Sequence, residues 1–250
     1  MQELLLRILG YAWMLFGVYW AISGLLRSSG ATDQSPRSRR TRFILLAGGF
    51  VVLFLERHRL PPPELIVLSV IWAAVSLRWA APSKPAQTTG EFPLYRLLRL
   101  LVLASTFALL FWDQMAIGIL GRRFVPPVPA LAAIGFALAL LGLAVAFWAR
   151  IHLGQYWSDK VVLKVDHQLI RSGPYANMRH PIYSGVLLGV LGTAMVLGEW
   201  RGLLAFVLLL TNYWVKAKKE ERILTARFRD EFREHQSRAG FLLPRLRARG

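Results

Sequence analysis

Residues 128–149 read VPALAAIGFALALLGLAVAFWA, without a single charge. A helix of that length rises about 33 Å, and a bilayer's hydrocarbon core is about 30 Å thick. The stretch is apolar on every side, so it predicts a membrane span rather than an amphipathic helix on a water-soluble core. The composition extends the reading. Of 250 residues, 55% are hydrophobic and 18% charged, with nine Trp, which excludes an intrinsically disordered chain. Further apolar runs lie at 4–26, 43–55, 65–81, 97–111, 182–198 and 202–215. The first is too long for the apolar region of a signal peptide and no A-x-A site follows it. The expectation is therefore an all-α, polytopic membrane bundle of about seven transmembrane helices. Only Glu199, Trp200 and Arg201 separate the last two runs, which predicts a C-terminal helical hairpin.

Charge placement orients the bundle. Lys and Arg number 31 against 14 Asp and Glu, a net charge of +17. Of the 31, 23 fall in segments 27–42, 82–96, 150–181 and 216–250, and five in 56–64, 112–127 and 199–201. This alternation places the first group in the cytoplasm, with the N-terminus outside and the C-terminus inside. A soluble nucleic-acid binder would not alternate in this way. The absence of Cys excludes thiol nucleophiles, iron–sulfur ligation and Cys-based zinc sites. The five His form no HExxH pair, so no metal site is expected.

The sizeable polar stretches are 150–181 and the tail from Lys216, so chemistry is expected there. In the tail, Ile223, Leu224, Phe228 and Phe232 recur at helical spacing and predict an amphipathic cytoplasmic helix, with Gly240 and Pro244 marking its end region. Ahead of the sixth run stands Ser172-Gly-Pro-Tyr-Ala-Asn-Met-Arg-His-Pro-Ile-Tyr-Ser-Gly185. Gly173-Pro174 makes a turn, and Pro181 suits the first position of a helix. Arg179 and His180 then sit at a helix mouth, either as a site for a carboxylate or phosphate or as a basic interfacial anchor. Gly185, Gly189 and Gly192 fit close helix packing. Glu220-Glu221 follows Lys216, Lys218 and Lys219. On spacing alone, Glu220 is either a solvated partner of Lys216 one helical turn away or a carboxylate facing a cationic ligand.

The ordered series G-P-Y-x-x-x-R-H-P-x-Y-x-G, a hydrophobic hairpin, Lys216-x-x-x-Glu220-Glu221 and Phe228-x-x-Glu231-Phe232 resembles the isoprenylcysteine carboxyl methyltransferase family, over roughly residues 130–245. Leu153-Gly-Gln-Tyr-Trp-Ser158 and His167-Gln-Leu-Ile170 extend the likeness. The resemblance implies an integral membrane O-methyltransferase using S-adenosylmethionine to methylate the carboxylate of a lipidated or isoprenoid acceptor, such as a prenylcysteine, that enters from the bilayer. It implies a cofactor pocket of Lys160, His167, Gln168, Leu169, Ile170, Tyr175, His180, Pro181, Ile182, Tyr183 and Glu220. Lys216 falls where the family usually has a substrate-contacting Arg, and Lys216 and Glu220 together are implied to serve catalysis. Residues 97–250 would form the methyltransferase-like domain, and 1–96 N-terminal helices of unassigned role. A phospholipid N-methyltransferase, an NADPH-dependent sterol-type reductase and a non-catalytic scaffold or transporter are the alternatives.

Overall fold

The structure, a computed structural model, describes residues 1–27, 93–154 and 169–245. The expected spans at 43–55 and 65–81 lie outside them. The described residues form α1 (Gln2–Arg27), α2 (Pro93–Phe111), α3 (Pro129–Leu153), α4 (Pro181–Leu197) and α5 (Trp200–Arg238), with short 3-10 turns between them. No strand occurs among them, so the architecture is all-helical. Among the described residues α3 alone is long and apolar enough to cross a bilayer; 97–111 and 181–197 are apolar but shorter.

The packing of α3 suits a helix in lipid. Its buried face is mostly small: Ala132, Gly135, Ala139, Gly142, Ala146 and Ala149. Its large side chains, Ile134, Leu141, Phe147 and Trp148, face outward. Small residues inside and large ones outside invert the pattern of a water-soluble core, because lipid solvates Leu and Trp while close backbone approach supplies the packing. The antiparallel partner is α4. A methyl group on Gly185 would sit 2.5 Å from the Ala146 nitrogen and 2.6 Å from the Gly142 carbonyl oxygen. Gly192 meets Ala139 and Gly135 in the same way, whereas Gly189 faces the Trp13 ring. The glycines thus serve close packing. Trp13 brings α1 onto this pair, its Nε1 donating to Thr193 Oγ1 at 3.0 Å and its ring edge-on to Phe107 at 5.2 Å.

The expected hairpin forms between α4 and α5. Gly198 ends α4 at φ 71°, a left-handed position that only glycine takes without strain. Buried Arg201 holds the corner, its Nε 2.6 Å from Glu199 Oε2 and its Nη1 donating to the Trp112 carbonyl at 2.6 Å.

The tail helix is continuous with the second arm of the hairpin. Residues 216–228 continue α5 directly out of the hairpin, since Lys, Ala and Glu sustain a helix once begun. The break comes at Arg229, with φ 43° and ψ −112°. Fifteen residues of straight helix would span about 22 Å, yet Gln236 Nε2 lies 3.4 Å from Glu221 Oε2. The chain therefore doubles back at Arg229 and returns to the mouth of α4. Phe232 is fully buried, and Ile223, Leu224 and Phe228 are half-buried.

Candidate functional site

Pro181 opens α4, and no side chain caps its first turn, so the amides there remain available. His180 is the N-cap residue, 7% exposed. The preceding 3-10 turn, Gly173–Ala176, is fixed from α3: His152 Nε2 lies 2.9 Å from Ser172 Oγ, and its ring leaves no room for a side chain at Gly173.

One turn into α4, the Tyr183 hydroxyl donates to Glu220 Oε1 at 2.6 Å. Glu220 comes from α5, 37 residues later. Its other oxygen lies 3.7 Å from His180 Nδ1, and Lys216 Nζ is 3.8 Å from Oε1. The Lys216–Glu220 pair anticipated from spacing is thus present, and the same carboxylate also faces α4. Tyr183 stacks on His180 at 5.4 Å and on Tyr213 at 4.6 Å, while Lys216 Nζ sits 5.4 Å from the Tyr183 ring centre. Three aromatic rings, a carboxylate and an ammonium therefore meet at one helix mouth.

The remaining candidates divide into four groups. Pro181 and Ile182 are buried; Ile182 packs with Tyr175, Ala149 and Ile170 beside this mouth. Tyr175 is a wall residue: its hydroxyl donates to the Ala149 carbonyl at 3.4 Å and its ring stacks on His152, not on His180. Burial, then the nearby Glu220 charge, pushes that hydroxyl well above the ordinary tyrosine value, with Arg150 opposing. Leu169 is half-buried in the stretch leading to the turn. Lys160, His167 and Gln168 lie outside the described residues.

Four contributors were not assigned a role from sequence. Glu221 is bound by Arg179, whose Nε donates to Oε1 at 2.6 Å. Burial raises the Glu221 carboxyl, but the His180 ring 3.4 Å away, the hydrogen bond from Arg179 and the Arg179 charge outweigh it, so its pKa falls below the ordinary glutamate value. Phe241 meets His180 edge-on at 5.3 Å. Tyr213 lies under Tyr183. His235 is buried, and burial, followed by repulsion from Arg179, Arg171 and His180, lowers its pKa to about 4 against the pull of Glu221. The doubled glutamate was a visible signal for Glu221; only the reversal at Arg229 brings Phe241 here.

Residues 133–226 match the isoprenylcysteine carboxyl methyltransferase family. The protein-S-isoprenylcysteine O-methyltransferase of Schizosaccharomyces pombe is 32% identical over 125 residues, 49% of this chain and 52% of that protein. The uncharacterized protein YpbQ of Bacillus subtilis is 36% identical over 59 residues, 23% of this chain and 35% of its own. A solved eukaryotic intramembrane Ras methyltransferase of this family has 20% identity and a TM-score of 0.45, covering 85% of this chain and 78% of its own. The chain spans about half the length of the fission-yeast relative.

Proposed function

We propose that this protein is an S-adenosylmethionine-dependent membrane methyltransferase that esterifies the carboxylate of a lipidated or isoprenoid acceptor, a prenylcysteine being the closest chemical type. The observation that carries the proposal is the convergence of His180, Tyr183, Lys216 and Glu220 at the mouth of α4. The donor set fits the cofactor. A carboxylate and stacked ring faces suit a molecule carrying an ammonium, a sulfonium and an adenine, and the uncapped first turn of α4 suits its carboxylate. When bound, the cofactor supplies an electrophilic methyl group.

The residues of the chain then have simple tasks. A carboxylate acceptor is nucleophilic at neutral pH, so no residue need remove a proton. Glu220 faces the cationic end of the cofactor, with Tyr183 fixing its orientation. Lys216, whose contact with Glu220 is longer than a hydrogen bond, turns toward the acceptor anion. As a point charge it steers the anion less tightly than a guanidinium fork would. Alignment of this kind contributes roughly 7–11 kcal/mol. Tyr175, Leu169, Ile170, Pro181 and Ile182 form the apolar wall, and Lys160, His167 and Gln168 complete the cofactor contacts. Residues 97–250 carry this site and 1–96 supply further spans, in a seven-span topology with the N-terminus outside and the site cytoplasmic.

Transfer of labelled methyl from S-adenosylmethionine to a panel of farnesyl-cysteine analogues, fatty acids and phosphatidylethanolamine tests the reading. Product label lost in mild alkali marks an ester; alkali-stable label on the amine would replace this reading with an N-methyltransferase. Single cysteines placed in each loop of this cysteine-free chain report topology by their labelling from either side.

A further inference from the structure

Glu221 has no task in the scheme above, yet it ties three parts of the chain together. Its Oε1 accepts from Arg179 Nε at 2.6 Å and lies 3.4 Å from His180 Nε2; its Oε2 accepts from Gln236 Nε2 at 3.4 Å. The side chains of Arg179 and Glu221 are only 13% and 9% exposed. The guanidinium then reaches further: Nη1 donates to the carbonyls of Gln236 and Ala239. These belong to the end of α5, where carbonyls lack helical partners.

Beyond that point the chain is stitched to the turn that carries His180. Arg179 N donates to the Gly240 carbonyl at 2.8 Å, and the Asn177 carbonyl accepts from Gly240 N and Arg245 N, each at 3.0 Å. Ser184 Oγ donates to the Leu242 carbonyl. Phe241 is gripped in the middle. Its ring lies edge-on to His180 at 5.3 Å and to Trp214 at 4.8 Å, with Arg179 5.5 Å and Lys218 4.6 Å from its centre.

We propose that Glu221 is the positioning residue of the transfer site: acting through Arg179, it fastens residues 236–245 over the mouth of α4 and holds Phe241 against the His180 ring. A buried ion pair deprived of one partner leaves an uncompensated charge. Without Glu221, Arg179 must find water, its two carbonyl contacts loosen, and His180 loses its outer wall. What the site binds rests on the methyltransferase reading; the fastening is a property of the chain itself.

The test uses Glu221→Gln, Arg179→Gln and the double variant in the full chain, purified in detergent, with Arg179→Lys as a gentler change that keeps the charge. Hydrogen exchange of residues 239–245 is the first readout. Each single Gln variant accelerates exchange of the Gly240 and Arg245 amides at least tenfold, the double variant adds nothing further, and Arg179→Lys falls between. The second readout is the kinetic split: Glu221→Gln raises KM for S-adenosylmethionine about tenfold, changes kcat less than threefold and leaves the acceptor KM unchanged. Phe241→Leu raises the same KM while the Asn177-bonded amides stay slow. Wild-type exchange in Glu221→Gln would overturn the proposal, as would a hundredfold loss of kcat at unchanged KM, which would make Glu221 a catalytic residue. If the wild-type protein neither binds the cofactor nor transfers methyl, the functional reading fails, and the exchange measurements still decide the fastening.

Discussion

Replacing Glu220 by Gln removes one charge and little volume. The glutamine oxygen can still accept from the Tyr183 hydroxyl, now 2.6 Å from Glu220 Oε1. The amide nitrogen must then take the place of the oxygen that lies 3.7 Å from His180 Nδ1. The ring stack and the mouth of α4 stay in place, so the loss is electrostatic. A unit charge about 4 Å from a ligand cation is worth about 4 kcal/mol at an effective dielectric of 20. Here the carboxylate is 22% exposed and shared with Lys216, and an amide oxygen retains some attraction. Hydrogen bonds to charged groups exceed neutral ones by about 1–1.5 kcal/mol. A net loss of about 2 kcal/mol follows, or roughly a thirtyfold weaker Kd for S-adenosylmethionine. Calorimetry in detergent, with S-adenosylhomocysteine as the uncharged-sulfur control, measures it. A larger loss for the sulfonium compound places Glu220 beside the sulfur; an equal loss places it beside the amino group. A Kd within threefold of wild type, with the fold intact by circular dichroism, would refute the assignment of Glu220 to the cofactor.

Gly185→Ala places a methyl within 2.6 Å of backbone atoms of α3, so the helices must separate at a cost of about 1–3 kcal/mol, whereas Gly17→Ala, with open space around it, leaves the melting temperature unchanged or higher; thermal unfolding in detergent compares the two. Lys216→Arg restores a fork for a carboxylate, so ester formation survives or rises; complete loss in the methyl-transfer assay points to a different acceptor. Acid lowers stability through His235: its folded pKa, about 4, lies below the ordinary 6.5, so between those values the unfolded chain binds the extra proton and stability falls with pH. Glu221, also lowered, adds a loss below the ordinary glutamate value. His235→Gln removes the first component, and melting curves from pH 7 to pH 4 show whether the slope flattens.

How much was legible follows from the range of each signal. The α3 span and the α4–α5 hairpin are local: an uncharged run and a three-residue break announce them, and Pro181 and Gly198 punctuate α4 at both ends. The likeness of the G-P-Y, R-H-P and Glu-Glu pieces to a known family led to a shared site because it supplies their pairing; spacing alone left Glu220 as a Lys216 partner or a ligand carboxylate. Geometry joins the pieces, since one carboxylate meets Lys216 on its own helix and Tyr183 and His180 on another.

The reversal at Arg229 was illegible for a different reason. Residues 216–238 are good helix formers with an apolar stripe, and nothing local forbids their lying flat on lipid. What turns them back is a sum of distant contacts. Arg179 meets the end carbonyls of α5, Glu221 neutralises Arg179, and Phe241 fits between Trp214 and His180. A positive φ at a non-glycine residue, Arg229, costs of order 1–3 kcal/mol and persists only where such contacts outweigh it. Relieving it with glycine therefore separates cause from consequence. Arg229→Gly should leave the Asn177-bonded amides protected if those contacts dictate the turn; rapid exchange there would mean that the turn itself directs the strand back.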